Sequence, residues 1–229
     1  MRLLAAPLLA LLLAGCSAAE PPPPGEVIRF TTDDGVTLEG EVRGSGEVAV
    51  VLAPGYGEDR AAMAELADFL ADRDYLTLAF DLRGTGGSAG AEDVVRSPAD
   101  VSAAAAEARS RGAKEVFVIG ADVGASAALV AAPGESVPLA GIVALSATAS
   151  FLGLEVSGEA AAAVEEPKLF FAAEGDRLAQ STAESLFAAS PPPKRVEVLV
   201  GSDHGTAILE GREGEKVRNL ILLFLGRYA

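Results

Sequence analysis

The chain has no tryptophan, one cysteine and one histidine in its 229 residues. A lone cysteine, Cys16, leaves neither an intrachain disulfide nor a thiolate metal site. A lone histidine, His204, cannot anchor a zinc site, which takes several His, Cys or carboxylate ligands at set spacings. No metal and no cofactor is expected. Cations are scarce as well: 18 Lys and Arg stand against 33 Asp and Glu, a formal charge of −15. That balance argues against nucleic acid as a partner, because phosphate binding is led by Lys and Arg, and against direct adhesion to anionic lipid. The glycine-rich run Gly84 to Gly90 lacks the Lys-Ser/Thr ending of a phosphate-binding loop and is expected to be a turn.

Long apolar runs are also missing. The run Leu3 to Ala14 falls short of the roughly 20 residues that cross a bilayer as a helix. With Met1-Arg2 before it and small residues after it, the run has the form of a signal peptide. Its ending, Leu13-Ala14-Gly15-Cys16, resembles a bacterial lipobox, which implies cleavage before Cys16 and lipidation of that cysteine. The expected organisation is residues 1–15 as lipoprotein signal peptide and 16–25 as lipidated Cys16 with a Pro-rich tether. Residues 26–229 then form one α/β domain. Pro21 to Pro24 favour an extended polyproline spacer. The partner implied is the membrane, through a lipid anchor on Cys16, and the location is the bacterial cell envelope, outside the cytoplasm.

Within the domain, strand and helix patterns alternate. Glu26 to Thr31 and Val36 to Arg43 flank the turn Asp33-Asp34-Gly35 and predict an antiparallel pair. Apolar strands are expected at Val48 to Ala53, Tyr75 to Phe80, Glu115 to Ile119, Gly141 to Leu145, Lys168 to Ala172 and Arg195 to Val200. Helices are expected near Arg60 to Asp72, Leu178 to Ala189 and Glu213 to Gly226, with another capped by Ser97 ahead of Pro98 and Asp100. Continuous apolar strands separated by helices predict a mostly parallel sheet covered on both faces, with Val48–Ala53, Tyr75–Phe80 and Glu115–Ile119 side by side at its centre.

Three of these strands run into residues that carry chemistry. Val116 to Ala132, VFVIGADVGASAALVAA, reads as strand, sharp turn and small-residue helix, with Asp122 at the tip between Gly120 and Gly124. Asp176 follows the strand KLFFAA, and His204 follows VEVLV. Tip residue, acid and histidine in that chain order resemble the triads of α/β-hydrolases. VAVVLAPGYG stands where that family has its oxyanion turn, which implies the amides of Tyr56 and Val123 as oxyanion donors. Asp81 to Ser88, DLRGTGGS, is similar to a turn common in the family, where its role is structural. The likeness runs from about Glu26 to the C-terminus and points to the compact, capless, esterase-like hydrolases of bacteria.

The departure is Asp122, where most relatives carry serine. Ser126 lies one helical turn beyond the tip and does not replace it. Aspartate attacking an ester would give an anhydride with little advantage. Attack at an sp³ carbon gives an aspartyl ester, which water activated by His204 can hydrolyse. The Gly-x-Asp-x-Gly elbow is similar to those of haloalkane dehalogenases and epoxide hydrolases, which hold the leaving group through Trp or cap-domain tyrosines. Here Trp is absent, and Tyr56, Tyr75 and Tyr228 all lie outside Ala147 to Pro167, the stretch expected to form a short helix and no lid. The expectation is therefore a membrane-anchored hydrolase of small substrates, with Asp122 as nucleophile, His204 as base and Asp176 orienting it. The alternative is a catalytically silent binding protein on the same fold.

Overall fold

The computed structural model describes residues 25–134 and 138–229, so the expected signal peptide, Cys16 and the proline run lie outside the described residues. Strands β1 (Glu26–Thr31) and β2 (Thr37–Arg43) form an antiparallel pair, followed by β3 (Val48–Ala53). A 3₁₀ turn at Arg60–Met63 leads into helix α1 (Ala64–Ala71), then β4 (Leu76–Phe80), α2 (Ser97–Ser110), β5 (Glu115–Ala121) and α3 (Val123–Ala131). Next come β6 (Gly141–Leu145), a small hairpin of β7 (Ser150–Phe151) and β8 (Leu154–Glu155), and α4 (Gly158–Ala163). The chain closes with β9 (Lys168–Ala173), α5 (Arg177–Ala189), β10 (Lys194–Leu199), α6 (Ala207–Glu210) and α7 (Gly214–Tyr228).

Eight strands make one sheet in the order β1-β2-β4-β3-β5-β6-β9-β10, parallel from β4 through to β10. The three strands expected at the centre are neighbours there, because strands this apolar need cover on both faces. That cover follows the two-residue period of a strand. Ala49, Val51, Val116 and Val118 face a core built with α2, α3, α4 and α5, whereas Val50, Leu52, Phe117 and Ile119 face one built with α1, α6 and α7. Burying a valine- or phenylalanine-sized side chain is worth about 1.5–3 kcal/mol, and such burial holds the helices on each face. Among the described residues, no helix is long and apolar enough to cross a membrane.

Two local expectations are corrected. Ser97 does not cap α2: a 3₁₀ turn at Val94–Arg96 precedes the helix, and the Ser97 hydroxyl donates back to the Val94 carbonyl at 2.7 Å. Asp100, expected to support the cap from the first turn of that helix, is buried and binds Arg83 through both carboxylate oxygens. The stretch Ala147 to Pro167 holds the short helix α4 but also the β7–β8 hairpin, which its small residues concealed.

Candidate active site

The strand β5 turns into α3 at Asp122, whose backbone adopts φ 48° and ψ −113°. Such a conformation strains a non-glycine residue, and it is kept only where the surroundings over-determine it. The flanking glycines supply the determination. A Cβ on Gly120 would lie 2.4 Å from the Ala125 nitrogen, and one on Gly124 would lie 2.5 Å from the Ala53 and Pro54 carbonyl oxygens. Only bare backbone fits between β3, β5 and α3, and the reversal lifts Asp122 to the C-terminal edge of the sheet.

The carboxylate divides its oxygens. Oδ2 accepts the Tyr56 N–H at 3.1 Å, and the Val123 N–H acts on the same carboxylate. Oδ1 lies 3.6 Å from Nε2 of His204. On the far side of the imidazole, Nδ1 meets Oδ2 of Asp176 at 2.5 Å. Asp176 is itself fixed, because its Oδ1 accepts the Ala179 N–H at 3.1 Å and so caps α5. Three residues that follow β5, β9 and β10 thus converge, and the two amides expected as oxyanion donors point at the tip carboxylate.

Electrostatics follows from this packing. Burial disfavours charge on Asp122, yet the neighbouring His204 ring and the Tyr56 and Val123 amides outweigh it and hold the carboxyl below its ordinary 3.8. The Asp122 carboxylate beside Nε2, then the Asp176 carboxylate that accepts from Nδ1, pushes His204 up to about 9 against the opposing effect of burial. The resting site is an imidazolium between two carboxylates.

Ser126 stands apart, as expected: its hydroxyl takes the Thr148 N–H at 3.0 Å and donates to the Thr148 carbonyl at 2.9 Å. The Asp81–Ser88 turn is a scaffold. Asp81 is fully buried and accepts the Arg60 and Gly87 amides at 2.8 Å, while Ser88 donates to the Asp81 carbonyl at 2.6 Å. Among the described residues no group of His, Cys, Asp or Glu is placed to hold a metal ion.

One neighbour went unread in the sequence. Phe151 of the hairpin packs edge-on against the Tyr56 ring with centroids 4.9 Å apart, forming an apolar rim on the oxyanion turn. A Phe in a stretch of small and acidic residues was the only available signal. Beneath this rim the cleft between Tyr56, Leu82, Val94 and Val123 has room for about one water, 10 Å³. A cavity of about 600 Å³ opens elsewhere, beside Lys168, Lys194 and Phe224 at the N-terminal ends of β9 and β10. Of the reacting groups, His204 is exposed, whereas the Asp122 and Asp176 carboxylates are largely covered.

Residues 44–157, just under half of the chain, match the family described as serine aminopeptidase, S33. The matched span contains the Tyr56 turn and the Asp122 elbow and ends before Asp176 and His204. No curated protein sequence matches the chain. Solved structures match it almost end to end. An esterase of Pyrococcus furiosus is 19% identical, with 89% of this chain and 91% of that one covered and a TM-score of 0.76. GrgF, an alpha/beta hydrolase from a Penicillium species, is 18% identical over 90% of this chain and 99% of its own, with a TM-score of 0.77. The esterase RhEst1 from a Rhodococcus species is 16% identical over 89% and 99%, with a TM-score of 0.71. At such identities the likeness is one of fold.

Proposed function

Taking the α/β-hydrolase fold of this chain as the premise, we propose that the protein is a hydrolase of small substrates that works through an aspartyl ester on Asp122. The observation that carries the reading is the division of labour within one carboxylate. Oδ2 rests on the Tyr56 amide, the Val123 amide acts on the same carboxylate, and Oδ1 stays beside His204. A serine-type ester hydrolysis needs those amides empty, to receive the oxyanion of the substrate. Here they already hold Asp122, so the charge they stabilise best is one that develops on Asp122 itself.

The sequence of steps follows. Oδ1 of Asp122 attacks an sp³ carbon, the new C–O bond forms, and the leaving group departs with its electron pair. Esterification removes the Asp122 carboxylate, whose contact is the largest cause of the raised proton affinity of His204. The imidazolium then gives its proton to solvent through its exposed side, and the neutral ring takes a proton from water. That water attacks the aspartyl carbonyl carbon, and the tetrahedral oxyanion forms where Tyr56 and Val123 donate. Collapse expels the alkoxide, which is protonated to an alcohol, and the carboxylate returns with one oxygen from water. Asp176 holds the ring with Nε2 forward throughout. No Trp is present to grip the leaving group, so the chemistry suits substrates whose leaving group departs unaided. The narrow cleft and the Tyr56–Phe151 rim suit small, partly apolar ones.

The lipobox-like ending at Cys16 extends the proposal to location: a lipid-anchored protein of the cell envelope, acting outside the cytoplasm.

Trapping the intermediate tests the chemistry. A His204→Gln variant incubated with a panel of small alkyl halides and epoxides should gain the mass of the alkyl group on Asp122, because ester formation proceeds and hydrolysis stalls. Absence of any adduct, or its appearance on another residue, would defeat the proposal.

A further inference from the structure

We propose that Glu58 is a positioning residue that fixes His204 against Asp122 by tying the oxyanion turn to the histidine loop. The proposal rests on the site described above. The two halves of that site come from distant parts of the chain, and one carboxylate joins them. Oε2 of Glu58 accepts the Gly55 N–H at 2.8 Å, next to the Tyr56 amide that holds Asp122. Oε1 accepts the Thr206 hydroxyl at 2.6 Å, across a separation of 148 residues and two positions beyond His204.

Each contact is constrained from its other side. The Glu58 N–H donates to the Gly55 carbonyl at 3.3 Å, so the side chain folds back over its own turn. A Cβ on Gly55 would come within 2.9 Å of the Glu58 carboxylate and 3.4 Å of the Asp122 Cβ, which places Glu58 against the tip without touching the reacting atoms. Thr206 is buried, and its main chain opens the turn into α6. Among the interactions of His204, Asp122 and Asp176 grip only the ring. The loop that carries the ring is pinned to the oxyanion turn through Thr206. Hydrogen bonds with a charged partner are the stronger kind, so losing this clamp frees the loop by more than one ordinary contact.

His204 is the sole histidine, so its imidazole proton resonance is a probe free of overlap. The charged groups facing it are Asp122 and Asp176. In the wild type the resonance should titrate near 9. Glu58→Gln keeps an acceptor for Gly55 and a partner for Thr206, and should titrate within about half a pH unit of wild type, whereas Glu58→Ala should fall by about one pH unit or more toward the free value. If Glu58→Ala does not fold, Thr206→Val cuts one end of the clamp and should move the resonance the same way. The proposal is overturned if the folded alanine and valine variants titrate with the wild type, or if Glu58→Gln shifts as far as Glu58→Ala, since charge and not position would then be responsible. The titration reads no turnover, so its outcome is independent of whether Asp122 forms an ester.

Discussion

Asp122 concentrates the consequences of a single residue. Its position at the tip was legible, because the apolar strand, the paired glycines and the small-residue helix fix where the turn must fall. So were Asp176 and His204, each directly after a strand. What the sequence could not display is that the carboxylate would lie in the oxyanion donors, because that depends on side-chain reach and on how closely β3 approaches β5. Nor was Glu58 legible, since in GEDR it looks like one more acid ahead of a helix. The ionic arrangement has a signed pH dependence. His204 is raised in the folded state, so its contribution to stability is whole below its ordinary 6.5 and is lost as pH rises through about 9. Asp122 is lowered, so its contribution is present above 3.8 and is lost as pH falls through its lower folded value. The stability difference between wild type and Asp122→Asn, from urea midpoints, should therefore be largest between about pH 4 and 6.5 and shrink by pH 10. With His204 nearly half exposed, it should not exceed about 1 kcal/mol. A difference that grows above pH 9 would contradict the assignment of the charges.

At the scale of elements, the strands were the most legible part. Each central strand is a continuous apolar run, and β3, β4 and β5 are neighbours as that apolarity requires. Boundaries moved where local bonding competed with pattern. The 3₁₀ turn at Val94–Arg96 took the place of a serine cap, and Asp100 was drawn into Arg83. The β7–β8 hairpin left no periodic signal, because its strands are two residues long. The elbow is the element under the tightest steric control. Gly124→Ala puts a methyl group on the Ala53 and Pro54 carbonyls, which belong to β3 and to the oxyanion turn. It should cost about 1–3 kcal/mol of unfolding free energy, typical of overpacking. Gly226→Ala is the control, since among the described residues nothing lies within 4 Å of its Cβ position. Equal urea midpoints for the two variants would show that the elbow is not close-packed.

The whole molecule is an acidic α/β domain with an exposed histidine at its reactive edge and, by the proposal, a lipid at its N-terminus. A charge of −15 gives anionic membranes no reason to bind the domain itself. Membrane partition should then depend on Cys16 alone. The wild type expressed in a bacterium should fractionate with membranes, and Cys16→Ser should lose that fraction or retain its signal segment. A wild type found wholly in the soluble fraction would contradict the anchor. The central claim concerns Asp122, and one turnover in ¹⁸O water tests it most directly. The account predicts that, with enzyme in excess over substrate, the label enters the carboxylate of Asp122 and the alcohol product carries none, because the oxygen of the product comes from the side chain. Label in the product of that first turnover, with Asp122 unlabelled, would mean that water attacks the substrate directly and that Asp122 is no nucleophile.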